Sequence, residues 1–256
     1  MENSKPVEID VVLLPITVTP ESLAGKTVIV VDVLRATTTI ITALSNGCSR
    51  VLPQPSVDAA REAFKTFDGP ALIGGERGGK IVDGFHNGNS PIEYTPDVIQ
   101  DKTLILATTN GTVAMEHCRQ AERVLIGAMI NVGAVAEAVE DSTQVTVLCS
   151  GTDRIITSED VLFAGALVDC LIENRNRNGK EVGLVKDTAK LARDHWRATR
   201  DSINDELPLA DYFRKARGGV NLVRIGHDAD IVFASQLDTS TVVPELDLEA
   251  WSIGLS

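Results

Sequence analysis

Short aliphatic runs along the chain alternate with polar loops and with stretches of helical periodicity. The run at 27–34 (TVIVVDVL) reads as a buried strand, and 37–46 (TTTIITALSN) follows it as a helix ended by Gly47. The same order recurs. A strand at 51–53 leads to a helix at 56–67, and a strand at 104–108 leads through Thr109, Asn110 and Gly111 to a helix ending near Cys118. Strands at 124–128 and 145–150 lead to helices at 131–140 and 158–172. Alternation of this kind predicts an α/β protein, a three-layer α/β/α arrangement around a mixed, partly parallel sheet. Parallel strands gather ligands at their carboxyl ends, so the loops that follow these runs are where chemistry is expected. No repeat, low-complexity tract or proline-rich linker divides the sequence, and a single domain over 1–256 is the expected organisation.

Three segments break the pattern. Residues 74–91 (GGERGGKIVDGFHNGNSP) carry six glycines, more backbone freedom than a connection needs, as a functional loop would. Residues 173–219 are charged and helical in pattern, with RNRNG at 175–179 as a surface turn; they read as a peripheral helical section. The stretch 231–246 reads as two short strands around Asp238 to Ser240, with Pro244 placing the second near a sheet edge.

Charge narrows the ligands. Thirty-six acidic residues against 24 basic ones leave a formal charge of −12. A field of that sign repels nucleic acids and anionic lipid, and aromatics at 4% supply few base-stacking platforms, so no nucleic-acid partner is expected. No stretch reaches the roughly 18 apolar residues of a membrane span. The first ten residues, MENSKPVEID, lack the basic start and apolar run of a secretory signal. A cytoplasmic address without a membrane partner is the expectation. Cys48, Cys118, Cys149 and Cys170 match no zinc or redox spacing and read as reduced, buried thiols. An anionic substrate would require local reversal of the field.

Asp32 to Thr39 (DVLRATTT) is the strongest local signal. Asp32 interrupts an apolar run, where an unpaired carboxylate costs several kcal/mol, on the order of buried-charge penalties, and so calls for a cation. Arg35 or a bound Mg²⁺ could supply it, and Thr37 and Thr38 with the following helix start would form a pocket for phosphate oxygens. The plainer alternative is an Asp32–Arg35 ion pair with a threonine capping the helix. Thr109, Asn110, Gly111 and Thr112 repeat the logic with neutral donors, suited to an oxyanion, although an ordinary N-cap with a turn glycine has the same appearance. Further on, Thr157 and Asp160 fit a capping box, while Glu159 and Asp160 together could equally supply a hard-metal ligand and a base. In the glycine-rich segment Glu76 closes an apolar run as Asp32 does, and Arg77 and Lys80 offer mobile positive charge. His86 reads as a packed or exposed histidine. There is no P-loop, dinucleotide fingerprint or nucleophile elbow.

Taken together, VDVLRATTTI at 31–40, IGGERGGKIVDGFHNGNSPIEY at 73–94, ATTNGTVA at 107–114, CSG at 149–151 with SEDVLFAGAL at 158–167, and FASQLD with VVP within 233–244 resemble the 2-phosphosulfolactate phosphatase family. His86 departs from that resemblance, standing where the family motif has an aspartate. The resemblance implies an Mg²⁺-dependent phosphatase converting (2R)-2-phospho-3-sulfolactate to (2R)-3-sulfolactate and phosphate, a step toward coenzyme M or related sulfonate metabolism. Mg²⁺ would be held by Asp32, Glu76 and one of Glu159 or Asp160, with Asp160 preferred, and the other acid of that pair would orient water. Arg35, Thr37, Thr38 and the 109–112 segment would grip phosphate, Asn89 and Ser90 would contact substrate, and Arg77 or Arg154 would take the sulfonate or carboxylate. Water attack and a phospho-Asp32 intermediate both remain open. The competing readings are a phosphatase or lyase for another small acidic phosphate ester, and a non-catalytic anion-binding module. The expected partners are a small anionic phosphate ester and a second copy of the chain.

Overall fold

The computed structural model describes residues 6–255; Met1 to Lys5, half of the amino-terminal stretch read above, and Ser256 lie outside the described residues. In chain order the elements are β1 (Val7–Val12), β2 (Thr27–Val31), α1 (Ala36–Ser45), β3 (Arg50–Gln54), α2 (Val57–Thr66), β4 (Ala71–Arg77) and β5 (Lys80–Ile81). There follow α3 (Pro96–Ile99), β6 (Thr103–Ala107), α4 (Gly111–His117), β7 (Arg123–Gly127), α5 (Val132–Ala138), β8 (Gln144–Cys149) and α6 (Ser158–Arg177). The chain closes with β9 (Val182–Val185), α7 (Asp187–Arg200), α8 (Leu209–Lys215), α9 (Arg217–Arg224), α10 (Asp228–Ala234), β10 (Pro244–Asp247) and β11 (Ser252–Leu255).

All eleven strands join one mixed sheet in the order β5-β4-β6-β3-β11-β10-β7-β2-β8-β1-β9. Two parallel blocks, β4-β6-β3 and β7-β2-β8-β1-β9, are spliced by the antiparallel β10–β11 hairpin. The splice is thin: one residue pair joins β10 to β7 (Glu245 with Leu125) and one joins β11 to β3 (Ile253 with Val51). Three successive antiparallel pairings would leave the two blocks running in opposite senses in a flat sheet. Their carboxyl ends nonetheless meet, since Gly111 after β6 lies so close to Asp32 after β2 that a Cβ on it would sit 3.2 Å from Asp32 Oδ2, so the sheet is not flat.

The period of two along each strand sorts side chains onto two faces. Val28 and Val30 of β2 pack with Ile40, Ile41 and Leu44 of α1 and Met115 of α4, whereas Ile29 and Val31 pack on Phe163 and Leu167 of α6. On β6, Leu104 and Leu106 join the α1 side, while Ile105 and Ala107 turn to a smaller cluster under α2 around Ala60. Helices therefore cover both faces, which is the three-layer α/β arrangement. Nine of the ten α1 residues are buried, so this helix is held by packing on every side, and it stops where Gly47 takes φ +89°.

Several expectations change. The segment from residue 231 is helix α10 instead of a strand: Ile231 and Ala234 are buried at helical spacing, a short apolar run whose period the sequence leaves ambiguous. Pro244 opens β10 inside the sheet, between β11 and β7, where it needs no N–H because it is the first strand residue. Arg175 is no surface turn; it is buried, with its guanidinium donating to the carbonyls of Glu140 and Glu181 and so tying α6 to the start of β9. Strands β1, β4 and β9 come from segments without a strong strand signature, β4 because Gly74 and Gly75 interrupt it. The cysteines are free thiols, three of them buried, and burial pushes Cys48 up to about 11 and Cys118 to about 12. Among the described residues no helix is long and apolar enough to cross a membrane.

Candidate active site

A cleft of about 290 Å³ opens where the ends of β2, β4, β6 and β8 face helix α9. Asp32, Arg35, Glu76, Asn89, Thr109 and Asn110 line it, together with Thr152 and Asp153 after β8 and Gly218, Asn221 and Arg224 from α9. Of the 173–219 section only Gly218, at the start of α9, lines the cleft; the rest of that wall, from Asn221 to Ile225, follows it.

Asp32 lies in the turn between β2 and α1, buried, with no ion pair among the described residues. Burial first, and then the charges of Asp160 and Glu76, push its carboxyl up to about 8; amides of Ala36 and Gly111 oppose that rise. The close approach of Gly111 depends on its missing side chain, since a Cβ there would sit 2.8 Å from the Ala36 Cβ and 3.2 Å from Asp32 Oδ2. The alternative of an Asp32–Arg35 pair is not what forms. Arg35 Nη1 instead donates to Asp230 Oδ2 at 2.7 Å, and its Nη2 donates to the Gly79 carbonyl at 2.6 Å. Asp230 also accepts from Ser90 Oγ at 2.6 Å.

The threonines serve the backbone. Thr37 Oγ1 donates to the Asp32 carbonyl and accepts from the Asp32 amide, and Thr38 Oγ1 donates to the Val33 carbonyl, so these hydroxyls shape the turn and do not line the cleft. Thr112 Oγ1 likewise donates to the Thr108 carbonyl. Thr109 lines the cleft, but its amide and hydroxyl donate to Glu76 Oε1 at 2.8 and 2.7 Å, while Gly79 N donates to Glu76 Oε2 at 2.9 Å. Glu76 thereby fastens the glycine-rich loop to the end of β6.

Asp160 is a staple between strand ends. Val33 N donates to Oδ1 at 2.9 Å, and Gly151 N and Thr157 Oγ1 donate to Oδ2 at 2.9 and 3.2 Å. The capping box does not form; the Thr157 hydroxyl turns to the Asp160 carboxylate. Burial raises Asp160 to about 6, less than Asp32 because these three donors favour its charged form. Glu159 is pushed to about 8 by burial and by Asp160, and packs against α9, where a Cβ on Gly218 would fall 2.1 Å from Oε1. Neither Glu159 nor Asp160 lines the cleft, and neither do Arg77 and Arg154. Both arginines are exposed, and Arg77 Nη1 donates to the Glu76 carbonyl. His86 is packed edge-on to Phe64, with Nδ1 accepting from Ile73 N.

The buried side-chain atoms left without a partner among the described residues are Asn89 Oδ1, Thr108 Oγ1, Ser150 Oγ and Glu159 Oε2. All four belong to the strand ends, the loops or the helix start around this cleft. Orphans of this kind concentrate where a ligand, ion or water completes the bonding.

The model of the 2-phosphosulpholactate phosphatase family matches residues 13–249. This chain belongs to that family. A probable 2-phosphosulfolactate phosphatase of Symbiobacterium thermophilum is 37% identical over 227 residues, covering 88% of this chain and 92% of the relative. Another from Clostridium novyi is 34% identical over 240 residues, 93% of this chain and 97% of the relative. The phosphatases are phosphoric monoester hydrolases, and the cleft has the convergent polar groups such an enzyme needs.

For a phosphatase of this family the fit to Mg²⁺ can be judged from the donors. Asp32 fits: it is an oxygen ligand with no cation of its own at the cleft floor. Glu76 also lines the cleft and retains lone-pair capacity beyond its three hydrogen bonds. Asp160 lies close enough for its charge to raise Asp32, but it does not line the cleft and its carboxylate is already held by three donors, so it fits less well. Among the described residues no three His, Cys, Asp or Glu side chains gather into a ready metal site, so a cation would rest on one or two carboxylates plus substrate and water, the habit of Mg²⁺. Sequence reasoning missed Arg224, Asn221 and Asp230 in this phosphatase. The clue for Asp230 was an acid placed before the apolar run IVFA, a buried helix face carrying a charge.

Proposed function

We propose that the protein is an Mg²⁺-dependent phosphatase that hydrolyses (2R)-2-phospho-3-sulfolactate to (2R)-3-sulfolactate and inorganic phosphate. The observation that carries this reading is one cleft lined by a buried Asp32 without an ion pair among the described residues and by two arginines, Arg35 from the β2–α1 turn and Arg224 from the end of α9. A substrate with phosphate, sulfonate and carboxylate groups needs such separated positive sites. Arg35, its guanidinium held through Nη1 and Nη2, grips the phosphoryl oxygens with its remaining N–H groups and stabilises their developing charge. Arg224 has no acidic partner among the described residues and, with Asn221, receives the sulfonate or carboxylate, the role the sequence suggested for Arg77 or Arg154. Asp32 and Glu76 would hold Mg²⁺, which would supply neutralisation of phosphoryl charge.

In this reading water is the nucleophile. The water oxygen bonds to phosphorus, the ester P–O bond breaks, and one proton of that water ends on the departing sulfolactate oxygen, leaving hydrogen phosphate. Single-turnover hydrolysis in ¹⁸O water places label in the first phosphate released; unlabelled phosphate from that turnover would instead mean a phospho-Asp32 intermediate. The same reading includes a cytoplasmic enzyme acting as a homodimer on a small anionic ester, with no nucleic-acid partner and a role in coenzyme M or related sulfonate metabolism. Reduced thiols are consistent with that compartment. Phosphate release by the wild type, with and without EDTA, tests the reading, and turnover unaffected by EDTA would contradict its metal requirement.

A further inference from the structure

Asp230 belongs to no motif that led to the site, yet two side chains from distant segments and one from the start of its own helix converge on it. It sits in α10, 1% exposed, with Arg35 Nη1 at 2.7 Å, Ser90 Oγ at 2.6 Å and His227 Nδ1 at 3.2 Å. Arg35 is separated from it by 195 residues and Ser90 by 140, so the contact ties the β2–α1 turn and the glycine-rich loop to the carboxy-terminal part of the chain. A buried ion pair gains little stability over a packed apolar pair, because desolvation offsets the attraction. What this pair does supply is direction. With Nη1 on Asp230 and Nη2 on the Gly79 carbonyl, the guanidinium plane is fixed on two sides, while Arg35 itself lines the cleft that Asp230 does not reach.

We propose that Asp230 is the positioning residue that aims Arg35 at the phosphoryl group, and that Ser90 acts with it by keeping the glycine-rich loop in register with α10. Ser90 thus serves the site through Asp230, with its hydroxyl turned away from the substrate. The inference rests on the proposed function in one respect, that Arg35 is the phosphate-binding group.

The test combines steady-state kinetics on 2-phospho-3-sulfolactate with calorimetric binding of inorganic phosphate, for wild type, Asp230→Asn, Ser90→Ala, Arg35→Ala and the double variant Asp230→Asn/Arg35→Ala. Loss of aim affects the transition state more than ground-state binding, so Asp230→Asn is expected to lower kcat about 10–100-fold while KM changes by about threefold or less. Ser90→Ala lowers kcat by about 2–5-fold, the scale of one neutral hydrogen bond. If Asp230 works through Arg35, adding Asp230→Asn to Arg35→Ala costs less than about a further twofold. A merely structural Asp230 would lower the melting temperature and leave kcat, KM and phosphate affinity of the folded fraction at wild-type values, which would overturn the proposal, as would multiplicative losses in the double variant. Asp230→Asn is near-isosteric; should it fail to fold, Asp230→Glu and Ser90→Ala carry the same comparison, with wild-type kcat in both counting against the proposal. Should the wild type not turn over the ester, the substrate reading fails by itself. Phosphate calorimetry still decides the positioning role, with about threefold weaker binding in Asp230→Asn expected and unchanged binding overturning it.

Discussion

Asp32 is held where its own charge is unwelcome. Its carboxyl stands near 8 in the fold against an ordinary 3.8, because burial and the neighbouring acids disfavour the ionised form. The sign of the linkage follows: from about pH 4 to about pH 8 the native state keeps a proton that the unfolded chain has released, so stability declines with rising pH across that window. Asp32→Asn removes this cost. Without divalent cation, the melting temperature of Asp32→Asn should exceed that of the wild type by a margin that widens from pH 5 to pH 8, and Mg²⁺ should narrow the gap by stabilising only the wild type. Equal pH slopes in thermal melts of the two proteins would contradict the burial argument. At the same scale the sequence was partly legible. The conflict of an acid inside TVIVVDVL marked Asp32 correctly for the cleft, but nothing local could show that Arg35 pairs with Asp230, since that contact depends on the completed tertiary fold.

Helix α9 is the element on which the cleft depends most. It packs on the start of α6 with its Gly218 against Glu159, and it presents Asn221 and Arg224 to the strand ends. A Cβ at Gly218 would lie 2.1 Å from Glu159 Oε1, so Gly218→Ala must displace either α9 or the glutamate. We expect KM to rise about tenfold or more with only a modest stability loss, of the order of overpacking costs, about 1–3 kcal/mol; steady-state kinetics beside thermal melts measure both. Wild-type KM in this variant would mean that the α9 wall does not contact substrate. Most helices and strands of the two parallel blocks could be read from periodicity, as α1, α2 and α6 show. The α9–α10 region could not, because its helices span eight and seven residues and their apolar faces are too short to fix a period.

At the scale of the molecule, a chain of charge −12 that acts on a multiply anionic ester must concentrate positive charge in one place. Arg224 is a cleft arginine without an acidic partner among the described residues, Arg35 being paired with Asp230, and Mg²⁺ on Asp32 and Glu76 would turn part of the acidic excess into binding capacity. Arg224→Ala should therefore lower kcat/KM about 10–100-fold for the sulfonated substrate, the scale of a hydrogen bond to a charged group, and much less for a phosphate ester lacking sulfonate. An equal loss on both esters would remove Arg224 from substrate recognition. The layered α/β architecture was visible in the alternation of runs, whereas the splice of two parallel blocks by β10–β11 was not, since two single-pair contacts leave almost no trace in local sequence. The central claim, a metal-assisted phosphatase pivoting on Asp32, is tested most directly by phosphate release from (2R)-2-phospho-3-sulfolactate with Mg²⁺ and with EDTA, for wild type beside Asp32→Asn. The account predicts release by wild type with Mg²⁺ only, and a loss of about 10²–10³-fold or more in Asp32→Asn; full turnover in EDTA, or by the variant, would contradict it.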